Sequence, residues 1–305
     1  MEVEPSFGVG AKRRRTSPKG EDNPVGCASP RLIGTPLGPA PFCGGMIHHP
    51  LTPPEHFEAP SSDDGFYAEV VRLMAESGIP FLLSGTYALS CYTGIVRPTK
   101  DVDVFAKAGD ALRLLSFFKD KDFDVQIVDE RWLYRITRGP LFVDIITNMP
   151  TSSTHVTDEW FVEAPEAKLF DNCVKLVPPT QFVWSKIFVA DRYRYDGADV
   201  AHMILKRSED IDWRQLISSM ELYWEVLLMA VLNFRFIYPS ERDLIPRWVM
   251  DELLGRLNAQ LDMPAAEKKV CRGRIFSPRD YTIDVTEWGF SEAVGNLEED
   301  YASRQ

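Results

Sequence analysis

Two aspartates one residue apart, Asp101 and Asp103, stand in a stretch whose other residues, Val102, Val104 and Phe105, are apolar. In an extended strand alternate side chains share a face, so the carboxylates converge on one side while the valines bury on the other. Like charges about 7 Å apart raise each other's proton affinity unless a cation or a hydrogen-bond donor compensates. A divalent metal is an economical compensator, and Mg²⁺ in particular takes one or two carboxylates plus substrate oxygens and water. A solvent-facing edge strand could carry the same pair as ordinary surface residues, so its company matters. The segment 141–147 is a strongly apolar strand with one carboxylate, Asp144, at its centre. An unpaired charge there is costly to bury, so Asp144 also needs a partner. Ser84, Gly85 and Thr86 fall between a strand and a helix, where a glycine lets backbone approach a ligand and helix N-terminal N–H groups receive phosphate oxygens.

Further along, Phe182, Val183, Lys186, Val189, Ala190 and Tyr193 share one apolar stripe when plotted on a helix at about 100° per residue. Lys186 lies in its middle. An inward lysine is expensive unless it is paired, or unless its stem is buried and its ammonium reaches solvent. Asp191, Arg192 and Asp196 surround the same helix and read as structural ion pairs. Arg97 and Lys100 flank the carboxylate strand, where they either touch phosphate or neutralise the acidic cluster from outside. The histidines have no metal-site spacing, and nothing supports a Ser/His/Asp triad.

A glycine just after a strand, then an Asp-x-Asp strand, then a lone aspartate on a later strand resembles the DNA polymerase β-like nucleotidyltransferase superfamily. The likeness is strongest to its minimal branch, including the toxin-type enzymes of abortive-infection systems. The stretch YTGIVRPTKDVDVF is similar to the Arg-x-Thr-x-Asp-x-Asp form of that branch, and KIFVADRYRYDGADV to its following helix. The resemblance covers about residues 66–200. It implies transfer of a nucleotidyl group from an NTP, ATP among them, to a hydroxyl. Asp101, Asp103 and Asp144 would hold two Mg²⁺ ions, or Mn²⁺ in their place, around an in-line displacement. Asp144 would lie nearest the acceptor hydroxyl and help deprotonate it. Ser84, Gly85 and Thr86 would hold the β and γ phosphates, and Lys186 would touch the triphosphate. The acceptor is open: a small molecule such as an aminoglycoside, a protein hydroxyl or an RNA end. The alternative is a catalytically silent module of the same type, binding a nucleotide or a partner such as an antitoxin protein. A glycosyltransferase using Asp-x-Asp would leave Asp144 and Gly85 without a role.

Elements follow from periodicity and turn residues. A helix carrying Phe66, Val70, Leu73 and Met74 is capped by Asp63 or Asp64. A strand at 81–84, a helix at 86–92, a strand at 101–105 and a helix at 110–118 come next. Strands at 124–128, 132–137 and 141–147 end this half, the last two joined by a tight turn at 138–140. From 178 the pattern becomes helical: 180–195, 198–206, 213–236 with a break, and 242–261, with 268–288 ambiguous. Mixed helices and strands make the first half an α/β or α+β sheet domain, and the resemblance implies the fold class α+β, a nucleotidyltransferase-like mixed sheet with helices, followed by a mainly helical C-terminal half. The expected organisation is a disordered tail over 1–60, an α/β domain over 61–177 and a helical domain over 178–305. The aromatic residues Trp213, Tyr223, Trp224, Phe234 and Phe236 read as core, or else as a pocket for an acceptor or a base between the halves.

The chain has 305 residues, 45% hydrophobic, with a net charge of −11. That balance argues against a broad phosphate-binding face, although a local basic groove can hide within it. The basic run Lys12 to Arg15 in the tail is read as solvated. Five scattered cysteines, Cys27, Cys43, Cys91, Cys173 and Cys271, form no Cys-x-x-Cys pair and read as reduced. The start lacks a secretory pattern and no membrane span is expected, so a cytoplasmic location follows.

Overall fold

The computed structural model describes residues 64–149 and 155–292. The expected tail, its basic run and the cap at Asp63 lie outside the described residues. The first half alternates helices and strands: α1 Asp64–Ser77, β1 Leu82–Leu83, α2 Gly85–Thr93, β2 Asp101–Phe105, α3 Ala108–Lys119, then β3 Asp124–Asp129, β4 Leu133–Arg138 and β5 Leu141–Ile146. Helix α1 buries Phe66, Tyr67, Val70, Val71 and Met74 along one face. Helix α3 does the same with Ala111, Leu114, Leu115 and Phe118, the i, i+3, i+4, i+7 spacing of an amphipathic helix.

These strands form one mixed sheet in the order β1-β2-β5-β4-β3. The central pair β2 and β5 runs parallel, and the other pairings are antiparallel. Their valines and isoleucines (Val102, Val104, Val143, Ile145) are buried. Counting back from the Arg138↔Leu141 turn pair puts Arg135 opposite Asp144, and the parallel pairing puts Asp103 opposite Asp144. At the far side, β3 pairs only with β4 among the described residues. It carries an irregularity between Ile127 and Asp129, with Ile127 and Val128 exposed.

The mainly helical half begins after α4 Asp158–Glu163 and a small hairpin, β6 Glu166–Leu169 with β7 Asn172–Lys175. It comprises α5 Pro179–Ile187, α6 Gly197–Arg207, α7 Trp213–Ser219, α8 Trp224–Ile237 and α9 Arg247–Leu261, then β8 Val270–Cys271, α10 Thr282–Thr286 and β9 Ser291–Glu292. No single helix among the described residues is long and apolar enough to cross a membrane. The fold is therefore the expected one, a mixed sheet with helices followed by a helical half.

Three expectations change. Helix 180–195 stops at Ile187, and residues 189–196 form a tight hairpin instead: Asp196 N–H donates to Val189 O at 2.9 Å and Asp191 N–H to Arg194 O at 2.9 Å. Tyr193, placed on the apolar stripe by periodicity, is 73% exposed on that hairpin. Phe236, expected in the core, is 85% exposed, whereas Trp213 and Phe234 are buried as expected.

Candidate active site

The central strands bring the carboxylates together. Asp103 and Asp144 are direct neighbours across β2 and β5. Asp144 is buried, and its two oxygens accept from Arg135 Nε at 2.6 Å and Nη2 at 2.9 Å. The same guanidinium lies 4.1 Å over the Phe142 ring, so Arg135 is held on two sides. The partner that Asp144 required is thus an arginine from the neighbouring strand. Asp101 accepts from Thr99 Oγ1 at 3.0 Å. The Asp103 side chain is half-buried, and its carboxylate takes no hydrogen bond or ion pair among the described residues. Burial, reinforced by Asp101 and Asp144, pushes its carboxyl up to about 6, although Lys186 and Arg194 pull the other way. Among the described residues no group of three His, Cys, Asp or Glu side chains stands close enough to hold one metal ion.

Ser84 and Gly85 open α2 directly against this strand. Ser84 N–H donates to Asp103 O at 2.8 Å, and Gly85 has φ +60°. A Cβ on Gly85 would fall 2.4 Å from Asp103 Oδ2, so only glycine permits this approach.

One cavity of about 210 Å³ collects these groups. Ser84, Gly85, Asp103 and Asp144 from the sheet half line it together with Lys186, Arg194 and Asp196 from the helical half. Phe105, Trp132, Ile146 and Met149 add apolar lining. Asp101 and Thr86 do not contribute to the lining.

Lys186 is buried at the last turn of α5, and its ammonium does not snorkel to solvent. Its Nζ meets Asp196 Oδ2 at 2.7 Å and Asp199 Oδ2 at 3.3 Å. Arg97 forks onto Asp199 at 2.6 and 2.7 Å, and Arg194 binds Asp196 at 3.1 and 3.3 Å. Arg97 therefore joins the halves by pairing with α6. Lys100 is exposed, and its carbonyl accepts from Tyr67 Oη at 2.7 Å. Asp196 is an ion-pair partner, as read from sequence. Arg192 pairs with Asp280 at 2.9 Å. Sequence reasoning missed Arg135, Arg194 and Asp199. The signal for Arg135 was present, since the turn after Arg138 fixes its register to Asp144.

The helix-opening glycine, the paired strand carboxylates and the mixed sheet beneath them are the features on which the sequence resemblance rests, here brought side by side. No family model matches the chain, and no curated protein matches it significantly. Solved structures do show likeness. The lincomycin-bound lincosamide antibiotic adenylyltransferase LnuA is 12% identical over 47% of this chain and 96% of its own, with a TM-score of 0.35. ANT(2")-Ia in complex with adenylyl-2"-tobramycin is 14% identical over 58% and 99%, TM-score 0.35. An antigenic nucleotidyltransferase-like protein from Paracoccidioides brasiliensis is 16% identical over 60% and 93%, TM-score 0.36.

Proposed function

We propose that the chain is a metal-dependent nucleotidyltransferase, moving a nucleotidyl group from an NTP to a hydroxyl acceptor. The observation that carries this reading is the Asp103 carboxylate: half-buried, without a partner of its own among the described residues, beside Asp144 and pressed against a glycine that opens a helix. Such a group calls for a cation. Asp101 and Asp103 fit Mg²⁺ or Mn²⁺, being hard oxygen donors of which one is uncommitted. Asp144 would join them by sharing its oxygens with Arg135. When bound, the cation would neutralise the triphosphate and the charge that develops on it.

The chain's own residues do the rest. The N–H groups that open α2 at Gly85 and Thr86 receive phosphate oxygens. Asp144, oriented by Arg135, accepts the proton of the acceptor hydroxyl. That oxygen bonds to the α-phosphorus as the bond to the pyrophosphate leaving group breaks. The apolar residues of the lining, Phe105, Trp132, Ile146 and Met149, help to exclude water from the reacting atoms. The α/β portion over 61–177 would hold the nucleotide and the portion over 178–305 would close the site. The cytoplasm, where NTPs are abundant, is the matching location.

The test is incubation of purified chain with Mg²⁺, each α-labelled NTP in turn and a cell extract. Label should pass to an acceptor with the wild type and not with Asp103→Asn. Transfer by Asp103→Asn at the wild-type rate would overturn the assignment. NTP binding without transfer to any acceptor would instead favour the silent binding module, a reading that Arg135's hold on both Asp144 oxygens also favours.

A further inference from the structure

Five charged side chains run in an unbroken line from the sheet half to the cavity: Arg97, Asp199, Lys186, Asp196 and Arg194. Three cations stand against two carboxylates, so the line carries one positive charge in excess. Its position is decided by burial and contact. Lys186, Asp196 and Asp199 are all buried, and the lysine ammonium sits between the two carboxylates. Arg97 is spent in a two-pronged contact with Asp199 and does not line the cavity. Arg194 does line it, its side chain is 60% exposed, and the carboxylate it touches is shared with Lys186.

The backbone beneath Arg194 is fixed. The Asp191 carboxylate accepts from the N–H groups of Tyr193 and Arg194 at 2.6 and 2.7 Å, and Ala190 bridges Tyr195 across the hairpin. Outside the turn, Arg192 pairs with Asp280 and Arg279 lies 4.8 Å over the Tyr193 ring. On the other flank Asn233 donates to the Tyr195 hydroxyl at 3.1 Å. A Cβ on Gly197 would fall 2.2 Å from the Tyr195 ring, so the glycine lets that ring pack down.

We propose that Arg194, and not Lys186, is the cavity's phosphate contact: an excess cation held over the site by a clamped hairpin, able to exchange its share of Asp196 for the terminal phosphates of a nucleotide. This rests on the nucleotidyl-transfer reading above. A guanidinium suits the task because its planar fork matches two phosphate oxygens at once.

The probe is inorganic tripolyphosphate, which carries the phosphates without base or sugar, titrated calorimetrically into the full chain with Mg²⁺ beside ATP and GTP. Arg194→Gln should weaken tripolyphosphate about tenfold to a hundredfold, the worth of charge-assisted hydrogen bonds. Its thermal midpoint should be unchanged, because Asp196 keeps Lys186. Arg194→Lys should recover part of the affinity, as a point charge without the fork. Wild-type affinity in Arg194→Gln overturns the proposal, as does a Lys186→Met protein that stays folded and alone loses binding. A wild type that binds an NTP but not tripolyphosphate overturns it while leaving the nucleotidyl-transfer reading standing. A wild type that binds neither removes both.

Discussion

At the scale of single residues the strongest consequence belongs to Asp103. Its carboxyl is pushed up to about 6 by burial and by Asp101 and Asp144, against an ordinary value of about 4 in the unfolded chain. Between those values the folded protein keeps a proton that the unfolded chain has lost. Metal-free stability should therefore fall as pH rises through that window, with the full cost present above about pH 6. The cost is on the order of 2 to 3 kcal/mol. Asp103→Asn removes it. In EDTA the variant should be more stable than wild type by about that amount near pH 7.5 and equal to it near pH 4, as read by urea denaturation. Equal stability at both would mean that Asp103 is already compensated inside the protein.

Among the elements, the meeting of α2 with β2 is the most constrained. Gly85→Ala would put a methyl 2.4 Å from Asp103 Oδ2 at a φ of +60°, and should cost roughly 2 to 4 kcal/mol. In an Asp103→Ala background the carboxylate clash is gone, leaving a Cβ contact at 3.2 Å and the left-handed backbone cost of about 1 to 2 kcal/mol, so the penalty should be smaller. A double-mutant cycle that closes additively would show that the carboxylate does not press on the glycine. This meeting was legible in the sequence because each half announces itself: alternation marks 101–105, and a glycine between a strand and a helix marks 84–86. The pairing of Asp144 with Arg135 was legible in principle, through the turn at Gly139 and Pro140. The hairpin after α5 was not. Nothing in 188–196 looks like a helix breaker until Gly197 is reached; what turns the chain is Asp191, whose side chain captures two backbone N–H groups that a helix would otherwise use. The β6 and β7 hairpin escaped notice for a related reason. Its turn residues Phe170 and Asp171 have φ of +47° and +61°, and the phenylalanine carries none of the usual signal for such a turn.

For the molecule as a whole, the joint between the sheet and the helices depends on one buried carboxylate. Asp199 is 1% exposed and holds both Arg97, from the segment leading into β2, and Lys186 of α5. Asp199→Asn strips Arg97 of its counter-charge and leaves Lys186 to Asp196 alone, and should cost roughly 2 to 3 kcal/mol, since Arg97 is partly exposed. Glu76→Gln, which breaks the exposed pair with Arg72, should cost about 0.5 kcal/mol or less. Denaturation midpoints of the two variants make the comparison, and similar losses would mean that the joint is held by apolar packing alone. The sheet's other border has a different significance. Strand β3 offers a row of backbone donors and acceptors next to the exposed Ile127 and Val128, the arrangement that lets one copy of a protein add its strand to another. The irregularity between Ile127 and Asp129 interrupts that row, and Asp124 places a negative charge at its start, whereas Asp129 is paired with Arg131 at 2.8 Å. The misaligned residue Val128 is therefore what breaks the run along which a second strand could pair. Deleting Val128 would straighten the edge, and the protein should then elute from a sizing column as concentration-dependent oligomers; a monomeric deletion variant would show that the irregularity is not what keeps copies apart.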